Sequence, residues 1–241
     1  MRQGHLFVVS GPSGTGKGAI CDALKEAGKA ELSVSMTTRA PRAYEVEGES
    51  YFFVSRERFK EAIDEDGLLE YTEVFGEYYG TPKAPAQRQL DAGRDVILEI
   101  EINGAMQVRD RMPDAVLVFV LPPSRQELKR RIEGRGTEPE EGIAQRLERA
   151  ENEIAQIRHY DYFVINDELE KAVSDMAAII RNEALLFADG QGGQVAPEDI
   201  AAFNRAAELI VGLDEGSLTR GCLKGSLDEE IERYRKRSEK E

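Results

Sequence analysis

The sequence predicts an α/β protein with a parallel sheet at its core, and three observations carry that expectation. A glycine-rich loop at residues 11–17 lies between a short apolar run and a helical pattern. Residues 95–100, 115–121 and 162–165 form apolar runs with few interruptions, as strands buried on both faces require. Helical periodicity occupies the intervals, so strands and helices alternate as they do in doubly wound folds.

The first strand is expected over residues 5–10, centred on Leu6, Phe7, Val8 and Val9. A strand that delivers the chain to a phosphate must end in a tight turn with successive N–H groups pointing inward. Gly11, Gly14 and Gly16 stand where a Cβ would clash or φ must be positive, and Pro12, Ser13 and Thr15 complete the loop. Lys17 supplies a cation. The helix expected over 17–27, with Ile20 and Leu24 on one face, turns its N-terminus toward the same anion. The spacing G-x-x-x-x-G-K in this strand–loop–helix context implies a nucleoside triphosphate ligand. One departure is visible: Gly18 and Ala19 follow the lysine, where a hydroxyl normally reaches Mg²⁺.

Residues 33–39 read as a polar strand or loop. From 40 to 83 the composition shifts, with Tyr44, Tyr51, Phe52, Phe53, Tyr71, Phe75, Tyr78 and Tyr79 interleaved with charges and glycines, which suggests a small inserted lobe. The charged segment 124–158 has helical periodicity through Leu128, Ile132, Ile143, Leu147 and Ile154, broken at Glu133-Gly134-Arg135-Gly136. A helix over 168–187 ends at the linker signal Asp189-Gly190-Gln191-Gly192-Gly193. Beyond it, Pro197-Glu198-Asp199 opens a further helix whose stripe, Ile200, Phe203, Ala207, Ile210 and Val211, needs burial on the core, a partner or a second copy of the chain. Residues 228–240 form a densely charged second helix or a frayed end.

With 241 residues, 41% of them hydrophobic and 32% charged, the chain has material for one compact domain and an appendage. Its net charge of −14 disfavours nonspecific binding to nucleic acid or to an anionic membrane. Cys21 and Cys222 form no paired framework, and two histidines leave little for a His-based metal site. Arg2 precedes an apolar stretch too short for a secretory signal, and no run approaches transmembrane length. A cytoplasmic protein is the expectation.

Two groups of side chains suit a phosphate chemistry. Arg39 and Arg42 flank Pro41 in the segment that also holds Tyr51, Tyr78 and Tyr79; arginine forks match phosphate oxygens and tyrosine hydroxyls complete an anion clamp, although the same residues also suit a solvated surface and a lobe core. Arg131, Arg135 and Arg146 lie in the charged helical segment, where they could close over transferring phosphates or pair along an amphipathic surface. A third group is acidic. Glu70 interrupts an apolar stretch, and Glu99 and Glu101 stand at the carboxyl end of a strand, where open α/β sheets bind ligands and a carboxylate pair can hold waters of a hydrated Mg²⁺.

Eight blocks, in unbroken order over residues 5–187, resemble guanylate kinases. They are the loop through Gly18; Ser33-Val34-Ser35-Met36-Thr37-Thr38-Arg39-Ala40-Pro41-Arg42; Gly48-Glu49-Ser50-Tyr51-Phe52-Phe53; Glu77-Tyr78-Tyr79-Gly80-Thr81-Pro82; Glu99-Ile100-Glu101-Ile102-Asn103-Gly104-Ala105; Pro122-Pro123-Ser124; Arg135-Gly136-Thr137; and Ile165-Asn166-Asp167. The resemblance implies a P-loop kinase with a parallel-sheet core (1–32, 84–124 and 159–190), an inserted GMP-binding lobe (33–83) and a helical lid (125–158). Residues 191–241 lie outside it as a helical extension.

By the same resemblance the chain transfers the γ-phosphoryl group of ATP to GMP in purine nucleotide metabolism, with Mg²⁺ as cofactor. ATP would be held by Gly11, Pro12, Ser13, Gly14, Thr15, Gly16, Lys17 and Gly18, with Arg135 and with Asn166 at the adenine. The GMP phosphate would meet Arg39, Arg42, Tyr51 and Tyr79, and guanine would meet Ser35, Glu70 and Thr81, with Glu101 beside them. Lys17, Arg39, Arg131, Arg135 and Arg146 would serve catalysis. Guanine presents N1–H and N2–H₂ on one edge, and a single carboxylate accepts from both, whereas adenine offers an acceptor at N1. The missing hydroxyl at Gly18 implies a metal held by phosphate oxygens and waters, with Glu99 and Glu101 bonding to those waters. Asn103 stands where the family more often has glutamine. A protein-binding scaffold of the same fold usually lacks the loop glycines and lysine retained here, and a ribose bisphosphate phosphokinase would not need Ser35, Glu70, Tyr51 and Tyr79 together.

Overall fold

A computed structural model describes residues 3–74, 76–134, 140–154 and 156–189. Along the chain these form β1 (Leu6–Ser10), α1 (Lys17–Glu26), β2 (Glu31–Leu32), β3 (Met36–Thr37), β4 (Phe52–Phe53), α2 (Arg56–Asp64), β5 (Leu68–Val74) and β6 (Glu77–Pro82). There follow α3 (Lys83–Asp91), β7 (Val96–Glu99), α4 (Ile102–Arg111), β8 (Val116–Leu121), α5 (Arg125–Glu133), α6 (Glu140–Ile154), β9 (Tyr162–Ile165) and α7 (Leu169–Asp189).

Five strands pair in the order β2-β7-β1-β8-β9, all parallel where they meet. The continuous apolar runs explain why these strands lie inside, because their alternate residues serve opposite faces. Leu6, Val8, Leu98, Leu117, Phe119 and Ile165 point to one core with Leu90 of α3 and Val108 of α4. Phe7, Val9, Ile97, Val118, Val120 and Val164 point to the other, against Leu24 of α1 and Met176 and Ile179 of α7. The chain leaves β1, and later strands add on both sides of it, so the carboxyl end of β1 is the switch point where such sheets open a crevice.

A second sheet, ordered β4-β3-β6-β5, occupies the aromatic-rich part of the chain. Its strands β5 and β6 form an antiparallel hairpin whose register shifts between Leu68 and Glu70. The extra residue has a use. Leu68 joins the small core around Phe59, Leu69 joins the main core beside α3 and α4, and Glu70 comes to face Thr81.

Helices α5 and α6 pack through Leu128, Ile132 and Ala150, with Ile143, Leu147 and Ile154 at the margin; all but Ala150 are residues whose spacing indicated helix. Ser124 caps α5 by accepting from the Glu127 backbone N–H at 3.1 Å. The sequence break at Arg135 and Gly136, and the whole extension from 191, lie outside the described residues.

Candidate active site

The loop after β1 has the backbone its glycines were expected to permit. At Gly11, φ is +139° and a Cβ would stand 2.4 Å from the Val120 carbonyl oxygen of the neighbouring strand. At Gly16, φ is +85° and a Cβ would stand 2.3 Å from Asn166 Nδ2. Gly16 is also the N-cap of α1 and offers no capping side chain, so the first N–H groups of the helix are left for an anion. Lys17 Nζ donates to the carbonyls of Gly11 and Pro12 at 2.6 and 2.9 Å. Burial pushes the Lys17 ammonium below the usual lysine range, opposed by the nearby carboxylates Glu99, Glu153 and Glu101. Thr15 turns its hydroxyl inward to the Pro12 carbonyl, and Ser13 is exposed at the rim.

Asn166, at the end of β9, donates from Nδ2 to the Thr15 carbonyl at 2.8 Å. Its own carbonyl accepts from Arg131 Nη2 at 3.0 Å, and Arg131 Nε donates to Glu127 at 2.7 Å. Arg131 therefore stands at the edge of the phosphate loop, with its Cβ 3.9 Å from the place a Cβ on Gly14 would take. Arg146 lies on α6 and is half-buried. Arg135 falls outside the described residues.

Across the crevice, the second sheet carries the arginine and tyrosines. Arg39 Nε donates to the Tyr79 hydroxyl at 3.2 Å, and its guanidinium lies over the Tyr51 ring at 5.5 Å and the Phe53 ring at 5.9 Å. Tyr51 and Tyr79 meet edge to face, 6.1 Å between centroids. Burial raises the Tyr51 hydroxyl above the ordinary tyrosine range, with Glu99 among the charges that reinforce the shift, so Glu99 is felt by both Lys17 and Tyr51. Arg42 is exposed and donates to the Tyr44 hydroxyl at 3.0 Å. Ser35 anchors β4 by accepting the Phe52 N–H on its carbonyl at 2.8 Å.

Glu70 is only 3% exposed. Thr81 Oγ1 donates to its Oε1 at 2.7 Å, and burial pushes its carboxyl up to about 7 against the pull of that hydrogen bond. The other oxygen, Oε2, lies where a Cβ on Gly104 would approach to 2.4 Å, so α4 comes this close only because residue 104 has no side chain. Gln107 of α4 fixes the approach, donating to the Tyr71 carbonyl at 2.7 Å and accepting its N–H at 3.2 Å. Arg111 of the same helix donates to the Leu68 carbonyl at 2.8 Å.

The two acidic residues at the strand end separate in role. Glu99 closes β7, and its Oε1 lies 3.5 Å from where a Cβ on Gly18 would be; crowding by protein raises its carboxyl even though it opens on the crevice, and Lys17 counters the rise. Glu101 is the N-cap of α4 without capping it by side chain, and it accepts from Arg149 Nη2 of α6 at 3.2 Å. Arg149 also donates to Glu153 at 2.9 Å. Around this bridge lies a cleft of about 580 Å³ lined by Glu101, Asn103, Gln145, Arg149 and Asn152 among others.

A phosphate loop at the switch point of a parallel sheet, faced by a separate sheet bearing a buried carboxylate and an arginine backed by aromatic rings, has the frame of a P-loop kinase. The guanylate kinase family model matches residues 3–183. A guanylate kinase of Caldanaerobacter subterraneus subsp. tengcongensis is 51% identical over 180 residues, covering 74% of this chain and 87% of that protein. One of Thermus thermophilus is 51% identical over 181 residues, covering 75% of this chain and 82% of its own. The crystal structure of guanylate kinase from Anaplasma phagocytophilum superposes with a TM-score of 0.63 at 34% identity, covering 76% of this chain and 88% of that one. The chain belongs to the guanylate kinase family.

Sequence reasoning passed over Glu45, Gly104, Gln107, Arg149 and Glu153. Gly104 carried a signal, since a glycine inside a helical stretch implies a close approach to its backbone. Gln107 and the Arg149–Glu101 pair have partners 36 and 48 residues away, whereas Glu45 and Glu153 pair locally, with Arg39 and Arg149, as ordinary surface charges also do.

Proposed function

We propose that this chain transfers the γ-phosphoryl group of ATP to GMP, giving ADP and GDP in purine nucleotide metabolism. Glu70 carries the reading. A carboxylate this deeply buried is costly unless a ligand meets it. Thr81 satisfies Oε1, and the guanine edge with its N1–H and N2–H₂ supplies the remaining donors, where adenine would bring an acceptor. Ser35 and Glu101 complete recognition of the base, and Arg39, Arg42, Tyr51 and Tyr79 hold the acceptor phosphate. The proposed division is a core (1–32, 84–124 and 159–190), a GMP lobe (33–83), a lid (125–158) and an extension (191–241) that covers the core or pairs two copies of the chain.

On the donor side, the N–H groups of residues 11–18 and Lys17 hold the ATP phosphates. Lys17 exchanges its bonds to the Gly11 and Pro12 carbonyls for phosphate oxygens. Asn166 shapes the loop from beneath and borders the adenine. Arg131, Arg135 and Arg146 neutralise the charge that spreads over the transferring group. No general base is needed, because the acceptor phosphate is already largely ionised at neutral pH. In-line positioning and charge neutralisation do the chemistry.

Mg²⁺ fits the residues present. Glu99 faces Gly18, where no hydroxyl competes for the space, and Glu101 follows it at the same strand end. These carboxylates would hold waters of an ion bound by phosphate oxygens, which shields the charge of the phosphates during transfer. A cytoplasmic setting is part of the same proposal and suits the free, buried thiol of Cys21. Among the described residues no helix is long and apolar enough to cross a membrane. An ADP-release assay with GMP, dGMP, AMP and ribose 1,5-bisphosphate as acceptors tests the reaction. Turnover with the guanine nucleotides is expected; turnover with ribose 1,5-bisphosphate alone, or with no acceptor, would overturn it.

A further inference from the structure

The guanidinium of Arg39 is divided into two edges by its partners. On the end-on edge, Nη1 donates to Glu45 Oε2 at 2.9 Å and Nη2 to Glu45 Oε1 at 2.7 Å. The second hydrogen of Nη1 goes to the Ala40 carbonyl at 2.7 Å. On the side edge, Nε donates to the Tyr79 hydroxyl at 3.2 Å, and the one remaining Nη2 hydrogen points the same way. Tyr51 and Phe53 flank the group.

Glu45 is itself fixed. Its side chain is 6% exposed and also accepts the Arg42 backbone N–H at 2.7 Å, with the Arg42 guanidinium 4.0 Å away. The paired arginines hold its carboxyl below the usual range, so it stays ionised at neutral pH. A carboxylate that competed with phosphate for the edge shared with Tyr79 would bond Nε, whereas Glu45 takes the adjacent end-on edge through Nη1 and Nη2.

The geometry points to Glu45 as a positioning residue for the acceptor nucleotide: by holding the end-on edge of Arg39 it aims the Nε/Nη2 edge, beside the Tyr79 hydroxyl, at the phosphate. This rests on the reading of Arg39 as a phosphate-holding group. The phosphate then shares Arg39 with Glu45 rather than displacing it, and a long side chain reaches its ligand with little rotamer freedom left to lose.

The test is calorimetric binding of GMP and guanosine, with steady-state kinetics for GMP and ATP, on the full chain. Glu45→Ala should weaken GMP binding about tenfold, the size of one freed, rotamer-rich side chain. Glu45→Gln, which keeps one acceptor, should weaken it about threefold. Guanosine affinity and the KM for ATP should not move in either variant, a split that general damage to the lobe would not produce. GMP affinity at or above the wild-type level in folded Glu45→Gln, or an equal loss for guanosine, would overturn the positioning role. Should Glu45→Ala fail to fold, Glu45→Gln decides alone. Arg39→Ala separates the two layers: if it binds GMP as the wild type does, the placement of the phosphate falls, whereas if it loses GMP while the Glu45 variants do not, only Glu45 is wrongly assigned.

Discussion

Acidification from pH 8 to pH 6 should weaken guanine binding through Glu70. Burial holds its carboxyl at about 7, and only the ionised form presents acceptors to both guanine donors. The apparent dissociation constant then scales as the protonated fraction grows, by a factor of about 1.1 at pH 8 and about 11 at pH 6, a tenfold loss over the interval. Guanosine is the right probe, because the phosphate of GMP titrates near pH 6 and would add a slope of its own. Calorimetry at pH 7 in two buffers of different ionisation enthalpy should show release of about half a proton per guanosine bound. Glu70→Gln should bind about 10- to 100-fold more weakly at pH 8, since buried donors lose their charged acceptor, and should show no slope. A flat profile for the wild type, or the same slope in Glu70→Gln, would refute the assignment. The sign of the stability effect follows from the same shift. Because the folded-state value lies above the ordinary glutamate value of about 4.5, this group's stabilising contribution is complete below 4.5 and falls as pH rises through 7, which urea unfolding of wild type against Glu70→Gln measures.

Gly104→Ala would ordinarily strengthen a helix by about 1 kcal/mol. Here the new Cβ meets Glu70 Oε2 at 2.4 Å, so the KM for GMP should rise while the KM for ATP holds, and an unchanged GMP constant would show that the carboxylate yields freely. Glu101→Gln should depress turnover most at low Mg²⁺; wild-type kinetics at every Mg²⁺ concentration would remove Glu101 from the metal's surroundings. Arg149→Ala breaks bonds to Glu101 and Glu153 that are largely exposed on the arginine side, so thermal stability should change by no more than about 1 kcal/mol, read as a small shift of Tm.

The parallel core was legible because a strand buried on both faces leaves no room for polar residues: Val8, Val9, Val116, Val118 and Val164 announce themselves by being consecutive or nearly so. The helices at 125–154 were legible from the spacing of Leu128, Ile132, Ile143 and Leu147. The β5–β6 hairpin was not, because a bulge sets Leu68, Leu69 and Glu70 all inward and so destroys the alternation that marks a strand. The place of Lys17 in the loop could be read from local spacing, since the carbonyls it bonds, those of Gly11 and Pro12, lie within six residues. Glu45 could not: its meaning lies in which edge of Arg39 it occupies, and no sequence pattern encodes the orientation of a guanidinium.

The bond from Asn166 to the Thr15 carbonyl joins positions 151 residues apart. Gly16 leaves space for that amide. A nascent polypeptide leaving the ribosome will have made its glycine loop within the first moments of synthesis, yet the loop acquires its final shape only after β9 has emerged and docked on β8. Nucleotide competence is therefore a late event in the life of the chain. Fragments ending before Asn166 should carry the whole motif and still fail to retain ATP, which makes triphosphate binding a reporter of completed folding.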